Sequence, residues 1–322
     1  MRTMKKLLIA CSVATFGVGG QALAQADYPD RPLQMIVAYS AGGGTDIAAR
    51  TLAPYIGKYL GGDVAVINRP GAGGEVGFTE LANATPDGYT IGFINTPNIL
   101  TIPIQRKTRY SLESFTPVSN VVDDPGGVQV RLDSPIKSMK DLVEYARSNP
   151  SAVTYGTTGI GSDDHLAMLA LERQADVKLT HVPFPGSSAV RSALLGGHIT
   201  LGVFNMGEAV TMLRENQIRS LGQMGETRWS EAADVPTLKE QGFDIVQGSA
   251  RGIAVPAGTP DAIVEKLAKA VNDAINDPEF QKKAAEQALP LAASSPKEFS
   301  DMLYKLRDGY VELWKEQPWV KN

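Results

Sequence analysis

Residues 33–60 read LQMIVAYSAGGGTDIAARTLAPYIGKYL, and this stretch decides the fold class. Its first part, 33–39, is a continuous apolar run that is typical of a buried strand. Small residues follow at 40–44, and 45–60 then places apolar side chains at helical spacing. A strand that passes through a short glycine-rich turn into a helix is the repeating unit of α/β proteins.

The same alternation continues to the end of the chain. The other predicted strands cover 64–67, 90–94, 128–131, 153–155, 177–182, 199–204, 220–224 and 252–255. The other predicted helices cover 77–83, 163–174, 189–195, 207–215 and 260–276, with one more opened by Ser138 and a last one ending near Lys315. Capping residues mark three of the helix starts: Ser138 with Asp141, Thr259 before Pro260, and Ser295 with Glu298. We therefore predict an α/β fold with mostly parallel sheets.

The length of 322 residues predicts two domains, because one domain takes ~150 residues. A second block of strands and helices begins near Gly126, and the chain ends in helices that need an existing core to pack on. We predict a first domain made of 25–124 and 249–322, and a second domain made of 125–248. The chain would then pass between the domains near 124 and near 248.

The first 24 residues have the pattern of a secretory signal peptide. Arg2, Lys5 and Lys6 precede an apolar segment at 7–20, and residues 22–24 (ALA) form a cleavage signal. An alternative is a lipoprotein signal that ends at Cys11, although only four apolar residues would precede that cysteine. Cleavage after residue 24 is the favoured interpretation and predicts export to the periplasm of a Gram-negative bacterium.

Composition and motifs argue against several classes of function. The formal charge of −4 and the lack of a basic run disfavour nucleic acid and anionic membrane surfaces as partners. One cysteine cannot form a disulfide framework, and three histidines without HExxH spacing disfavour zinc. The chain contains no GxSxG, no P-loop and no complete GxGxxG. We therefore predict no cofactor, no metal and no catalytic residue.

Glycine, serine and threonine cluster in four turns, each of which follows a predicted strand and precedes a predicted helix. They are 40–46 (SAGGGTD), 70–74 (PGAGG), 157–163 (TTGIGSD) and 185–188 (PGSS). A helix start has free N–H groups and about half a positive charge, and glycine lets an anion approach closely. Open α/β sheets bind ligands at the carboxyl ends of their strands. The turns therefore predict a cleft between two domains that binds a carboxylate or a phosphate.

Each of these features also has a structural interpretation. A single turn of this kind can be a plain connection, and it is the repetition that favours a ligand site. His165 could orient a ligand, but a hydrogen-bonded structural role is favoured, and His181 is interpreted as packing. Asp163 and Asp164 could indicate calcium, but two acids at a helix start more often complement the helix dipole.

Many short motifs resemble those of the solute receptors of tripartite tricarboxylate transporters, the Bug or TctC family. They are YPDRP at 28–32, YSAGGGTD at 39–46, NRPGAGG at 68–74, TPDGYT at 85–90, GIGS at 159–162, HLA at 165–167, HVPF at 181–184, LLGGH at 194–198, DVPT at 234–237 and VPAGTP at 255–260. Each motif is short, but their number and order are specific to the family.

The resemblance implies a two-domain, periplasmic-binding-protein-like fold with a ligand cleft between the domains. It also implies capture of a small carboxylate, either a di- or tricarboxylate or an aromatic acid, and its delivery to a membrane permease. In the family, the loop after the first strand and a glycine–serine loop of the second domain hold one ligand carboxylate. The candidate ligand-binding residues are Ser40, Ala41, Gly42, Gly43, Gly44, Thr45, Asp46, Gly73, Thr157, Gly159, Ile160, Gly161, Ser162, Ser187, Ser188, Asn205 and Arg251.

Some positions depart from the usual family pattern. Residues 184–186 (FPG) stand where the family often has Tyr-Lys-Gly, so a basic residue is missing, although Ser187 and Ser188 could donate there. Residues 249–252 (SARG) resemble the branch that includes citrate receptors. Arg251 is therefore a candidate for binding a second carboxylate or, equally, for a structural ion pair. Asn205 matches a position that often faces the cleft, and its alternative role is a turn cap.

We expect a monomeric receptor that binds its ligand without chemistry. The first alternative is a receptor of the same fold that reports ligand to a signalling protein. The second is a periplasmic hydrolase, but the sequence offers no nucleophile with an identifiable base.

Overall fold

The structure is a computed structural model that describes residues 28–320. The predicted signal peptide, 1–24, lies outside the described residues. The described chain forms two five-stranded sheets packed with helices, so the predicted α/β class is confirmed.

Residues 28–320 contain ten strands and ten α-helices. The strands are β1 (Leu33–Val37), β2 (Val64–Asn68), β3 (Thr90–Asn95), β4 (Phe115–Pro125), β5 (Gly127–Arg131), β6 (Thr154–Thr157), β7 (Thr180–Pro183), β8 (Leu201–Val203), β9 (Ile218–Gln223) and β10 (Gly248–Pro256). The helices are α1 (Gly44–Leu60), α2 (Glu75–Ala82), α3 (Asn98–Gln105), α4 (Met139–Ser148), α5 (Asp163–Ala175), α6 (Ser187–Leu195), α7 (Met206–Arg214), α8 (Asp261–Ile275), α9 (Pro278–Glu286) and α10 (Pro296–Glu316).

Both sheets are mixed, with the strand orders β2-β1-β3-β10-β4 and β7-β6-β8-β5-β9. β1 is parallel to β2 and β3, and β6 is parallel to β7 and β8. β10 is antiparallel to β3 and β4, and β5 is antiparallel to β8 and β9. In each sheet four of the five strands run in the same direction and one, β10 or β5, runs opposite to them, so the prediction of mostly parallel sheets is confirmed for strand direction. The chain passes directly from β4 of the first sheet to β5 of the second sheet through Gly126.

We call the first sheet and its helices the first lobe, and the second sheet and its helices the second lobe. β4 and β10 lie side by side where the chain passes between the lobes. Their register runs from Gly248 opposite Pro125 to Pro256 opposite Phe115, with irregularities after Arg251 and Ile253. These two neighbouring strands connect the lobes.

Each lobe has its own apolar core on both faces of its sheet. In the first lobe, Leu52 of α1 and Leu267 of α8 pack on one face, and Phe78 of α2 and Phe299 of α10 pack on the other. The second lobe has two corresponding clusters. Complete burial of such a side chain contributes about 1.5–3 kcal/mol, so each lobe has a substantial core of its own.

Two of the three predicted helix caps are confirmed. The Ser138 hydroxyl accepts a hydrogen bond from the Asp141 N–H at 3.1 Å, and Ser295 forms a capping box with Glu298. The predicted cap at Thr259 is wrong, because Pro260 occupies the cap position and the Thr259 hydroxyl donates back to the Pro256 carbonyl at 2.7 Å.

Candidate functional site

A small cavity lies between the two lobes. The first lobe contributes Tyr39, Gly43, Gly44, Thr45, Asn95 and Asn98, the second lobe contributes Thr158, Asp163, Ser187, Asn205 and Glu208, and β10 contributes Ser249 and Arg251. All these residues except the two glycines have a polar side chain, so the wall is suited to a polar ligand.

Five helices begin at this cavity. Gly44, Asn98, Asp163 and Ser187 are the first residues of α1, α3, α5 and α6, and Asn205 is the N-cap of α7. The first turn of a helix has N–H groups without an intrahelical partner and a partial positive charge. The arrangement therefore directs backbone N–H groups from both lobes toward one cavity.

The turn before α1 is held in place by Asp46 rather than by a ligand. The Asp46 carboxylate accepts hydrogen bonds from the Gly42 N–H, Arg50 Nε and Asn68 Nδ2, each at 2.9 Å. Asp46 does not line the cavity, and Ala41 and Gly42 are exposed. Their role in the site is to shape the turn that presents Gly43, Gly44 and Thr45.

Several of the predicted turn residues form contacts between the lobes. The Ser40 N–H donates to the Pro185 carbonyl at 3.4 Å, and the Thr101 hydroxyl donates to the Gly161 carbonyl at 2.7 Å. A Cβ on Gly159, where φ is +132°, would lie 3.0 Å from the Gly73 Cα. The described structure is therefore a closed form. Gly73, Gly159 and Ile160 border a separate depression at this contact and do not line the cavity.

The side chains of Ser162 and Thr157 stabilise the turn before α5 and its surroundings by hydrogen bonds. Ser162 caps the helix by accepting from the His165 N–H at 3.2 Å, and His165 Nδ1 accepts from the Gly161 N–H at 3.1 Å. The Thr157 hydroxyl lies 2.6 Å from Nε2 of His181, whose ring stacks on His165 with a centroid distance of 4.0 Å. Burial lowers the pKa of His165 to about 3 and that of His181 to about 4, so both rings are neutral at pH 7. The structural interpretation of both histidines is confirmed.

Arg251 lies at the centre of a buried charge cluster. Its Nη2 is 3.2 Å from Asp124 Oδ2 and 3.3 Å from Glu208 Oε1, and it donates to Asn205 Oδ1 at 2.8 Å. The side chains of Arg251, Asp124 and Glu208 are 3%, 1% and 5% exposed. The structural ion pair considered for Arg251 is therefore present, although its guanidinium also forms part of the cavity wall.

The acids of this cluster outnumber its cation. Burial raises the pKa of Asp124 to about 7, and the nearby Arg251 charge only partly opposes this effect. Burial likewise raises the pKa of Asp163 to about 6, against the hydrogen bond from Asn205 and the charge of Arg251. Asp164, directly behind the wall, also has a raised pKa because of burial and the charge of Asp163. The cavity is therefore surrounded by more carboxyl groups than the glycine-rich turns of the sequence indicate.

Asn205 connects this cluster and does not cap its helix. Its Nδ2 donates to Asp163 Oδ2 at 2.7 Å and to the Asp124 carbonyl at 2.9 Å, while its Oδ1 accepts from Arg251. Asn205 occupies the N-cap position of α7, but its side chain makes no capping hydrogen bond. The turn-cap alternative is therefore wrong.

Six of the predicted site residues line the cavity, and sequence reasoning missed several others. The six are Gly43, Gly44, Thr45, Ser187, Asn205 and Arg251. The missed residues include Asn95, Asn98, Glu208 and Ser249. Asn95 ends a parallel strand, and polar residues at such strand ends are a signal that could have identified it. Glu208 Oε1 accepts from the Gly44 N–H at 2.9 Å and joins the lobes across the cavity, which no local pattern indicates.

Two further observations concern the described residues. Across 28–320, the histidine, cysteine and acidic side chains form no group of three or more with an arrangement suited to a metal ion. No helix in the same range has both the length and the apolar character needed to cross a bilayer.

Two α/β lobes joined by paired strands around a polar cavity define a bilobed binding protein. The solved structure of the periplasmic binding protein BugD has this fold, with a TM-score of 0.85 and 30% identity over 90% of this chain and 98% of that chain. A family model described as tripartite tricarboxylate transporter family receptor matches residues 48–304. The chain belongs to this receptor family, as its motifs predict.

Two other similar proteins extend the comparison. A UPF0065 protein in the gbd 5' region of Cupriavidus necator is 36% identical over 281 residues, which cover 86% of this chain and 85% of that protein. The structure of MatC from Rhodopseudomonas palustris with bound malate is 26% identical, has a TM-score of 0.83, and covers 89% of this chain and 99% of its own.

Proposed function

We propose that this protein is an exported receptor that captures a small organic acid between its lobes and delivers it to a permease of the tripartite tricarboxylate type. The observation that carries the proposal is the cavity between the lobes at which five helices begin, since such N-termini favour anions. The malate bound to MatC supports the ligand class. The signal-peptide pattern of residues 1–24 supports export.

The ligand carboxylate is placed against the first turns of α1 and α6. These turns approach each other closely, because a Cβ added to Gly43 would lie 3.2 Å from the Ser187 hydroxyl. Thr45 and Ser187 are both buried and both line the cavity. Binding would favour the closed form because the ligand contacts both lobes at once, and the lobes would rotate about β4 and β10, near residues 124 and 248.

A thermal-unfolding panel tests the proposal. The purified protein, freed of bound molecules by unfolding and refolding, is heated with mono-, di- and tricarboxylic acids, aromatic acids, amino acids and neutral sugars. A true ligand at 100 times its Kd stabilises the protein by about 2.7 kcal/mol, so we expect at least one acid to raise the melting temperature by roughly 5 °C. Recovery of that acid unchanged, checked by NMR, would agree with binding without chemistry. Stabilisation by sugars alone would contradict the proposal.

Two adjacent serines provide a sharper test of where the acid binds. Ser187 is buried and lines the cavity, whereas Ser188 is half-buried and does not. Ser187→Ala should weaken binding of the best acid about fivefold, the equivalent of a hydrogen bond worth about 1 kcal/mol. Ser188→Ala should leave the affinity unchanged. Calorimetry that gave equal affinities for the two variants would place the carboxylate elsewhere.

A further inference from the structure

Two carboxylates, Asp163 and Glu208, form part of the cavity wall, and two more, Asp124 and Asp164, are buried directly behind it. Among the cavity-lining residues that the structure describes, Arg251 is the single cation. If these groups were ionised, the surroundings of the cavity would carry a net negative charge. A ligand whose charged groups were all carboxylates would be repelled by those acids that remain ionised, whereas a cation in the cavity would favour their ionised form.

Two donors at the cavity are already bonded to protein groups. The Gly44 N–H donates to Glu208 Oε1, and Arg251 Nη2 donates to Asn205 and contacts Glu208 and Asp124. A second ligand carboxylate would have to displace Glu208 from both partners. On this side Arg251 Nε remains without a hydrogen-bond partner among residues 28–320, while the Gly44 N–H and Arg251 Nη2 are already occupied by protein acceptors.

Unpaired acceptors remain on the same side of the site. Within residues 28–320, neither Glu208 Oε2 nor Asn95 Oδ1 has a hydrogen-bond partner, although both atoms are buried. Both residues line the cavity, and both side chains are more than nine-tenths buried. A buried acceptor without a donor is costly, so these two atoms indicate a ligand that brings hydrogens to them.

We infer that the ligand carries a protonated amine in addition to its carboxylate, and that Glu208, Asp163 and Asn95 bind this ammonium group. The inference deepens the proposed function and rests on it, because the carboxylate is placed at Thr45 and Ser187 as before. An ammonium group has three donors and no acceptor, which suits a wall with two carboxyl groups and unpaired buried oxygens. The class is therefore that of small amino-carboxylates.

Matched pairs of acids that differ in one amino group test this inference. We propose calorimetry with succinate and aspartate, glutarate and glutamate, and butyrate and 4-aminobutyrate. In at least one pair, the amino member should bind at least tenfold more tightly than its partner. If the plain acids bind as tightly or more tightly, the inference is overturned while the proposed function stands. If no acid in the full panel binds, both are overturned.

A charge-neutral variant separates the amine site from the carboxylate site. Glu208→Gln preserves the shape of the side chain, and we expect it to weaken the amino member at least tenfold while changing the plain acid less than threefold. Glu215→Gln, at an exposed glutamate just after α7, is the matched control and should change neither. Equal losses for both members of a pair on Glu208→Gln would overturn the inference.

Two further probes ask whether the acidic wall binds a metal ion or an amine that carries no acid. Calcium chloride tests for the metal ion, and putrescine tests for the amine. Tight binding of calcium, abolished by Glu208→Gln, would overturn the inference. Tight binding of putrescine with no binding of any carboxylate would overturn both the inference and the proposed function, because the inferred ligand carries a carboxylate as well as an amine.

Discussion

Replacing Gly44 by alanine should lower the affinity for the ligand roughly 100-fold while leaving the fold intact. A Cβ at this position would lie 2.2 Å from Glu208 Oε1 and 2.4 Å from Arg251 Nη1. Both side chains are buried and bonded to each other, so the new methyl group would separate Glu208 from the Gly44 N–H. Loss of a hydrogen bond to a charged group costs about 1.5–3 kcal/mol, and here that bond joins the lobes. Gly44 is the first residue of α1, where alanine is readily accommodated.

The matched control is Gly309→Ala in α10, where a Cβ meets no atom within 4 Å. It should retain full affinity and be neutral or slightly stabilising, since alanine favours a helix. Calorimetry measures the affinity, and small-angle scattering should show that Gly44→Ala remains open in the presence of ligand. A Gly44→Ala protein that binds and closes normally would show that the contact between Gly44 and Glu208 is dispensable.

Replacing Arg251 by methionine should destabilise the protein by about 3–5 kcal/mol at neutral pH. The substitution leaves Asp124 and Glu208 buried without their cation, and removing one partner of a buried ion pair has a cost of this size. Arg228→Met is the control, since its pair with Glu240 lies at the surface, where such pairs contribute about 0–1 kcal/mol. Urea unfolding of both variants beside the parent protein gives the free energies.

The loss of unfolding free energy caused by Arg251→Met should become smaller as the pH falls from 8 to 5. Burial raises the pKa of Asp124 from its usual 3.8 to about 7, so the folded state binds more protons than the unfolded state between these values. Stability therefore falls as the pH rises through this window, by about 1.4 kcal/mol per pH unit for each proton. Without Arg251 the pKa rises further, so the penalty at neutral pH is larger and protonation relieves more of it. His165 and His181 titrate in both proteins and cancel in the difference. If the loss of unfolding free energy stays constant with pH, its cause is lost packing rather than the unpaired charge of the buried acids.

Local patterns predicted the parts of the fold that depend on neighbours in sequence. The strand, turn and helix of residues 33–60 follow from an apolar run, small residues and helical spacing, and all three are present. The sequence patterns do not predict β4, α3 or α9. β4 contains Pro117 and two adjacent acids, and its strand conformation depends on pairing with β10, which is distant in sequence. α3 follows Pro97 and contains Pro103, both of which are usually helix breakers.

The candidate site was predictable to a similar extent. Clusters of glycine and serine identified the turns that shape the cavity. A close approach of the backbone requires small residues that are adjacent in sequence, so a local pattern reveals it. The sequence also singled out Arg251, but not its partners Asp124 and Glu208, which belong to other elements. The position of Asp163 at a helix start favours a role as a complement to the helix dipole, and the structure adds its place on the cavity wall. Side chains that meet only across the closed cleft leave no periodic signal.

The five helix starts around the cavity also bear on how such a receptor can diversify. Peptide N–H groups belong to the main chain, so no exchange of side chains removes them, provided that proline is avoided. A duplicated gene could therefore acquire a different ligand by substitutions at Asn95, Glu208 or Ser249 while the backbone donors stayed in place. Preference for one molecule over another would evolve quickly, and preference for negative charge would persist.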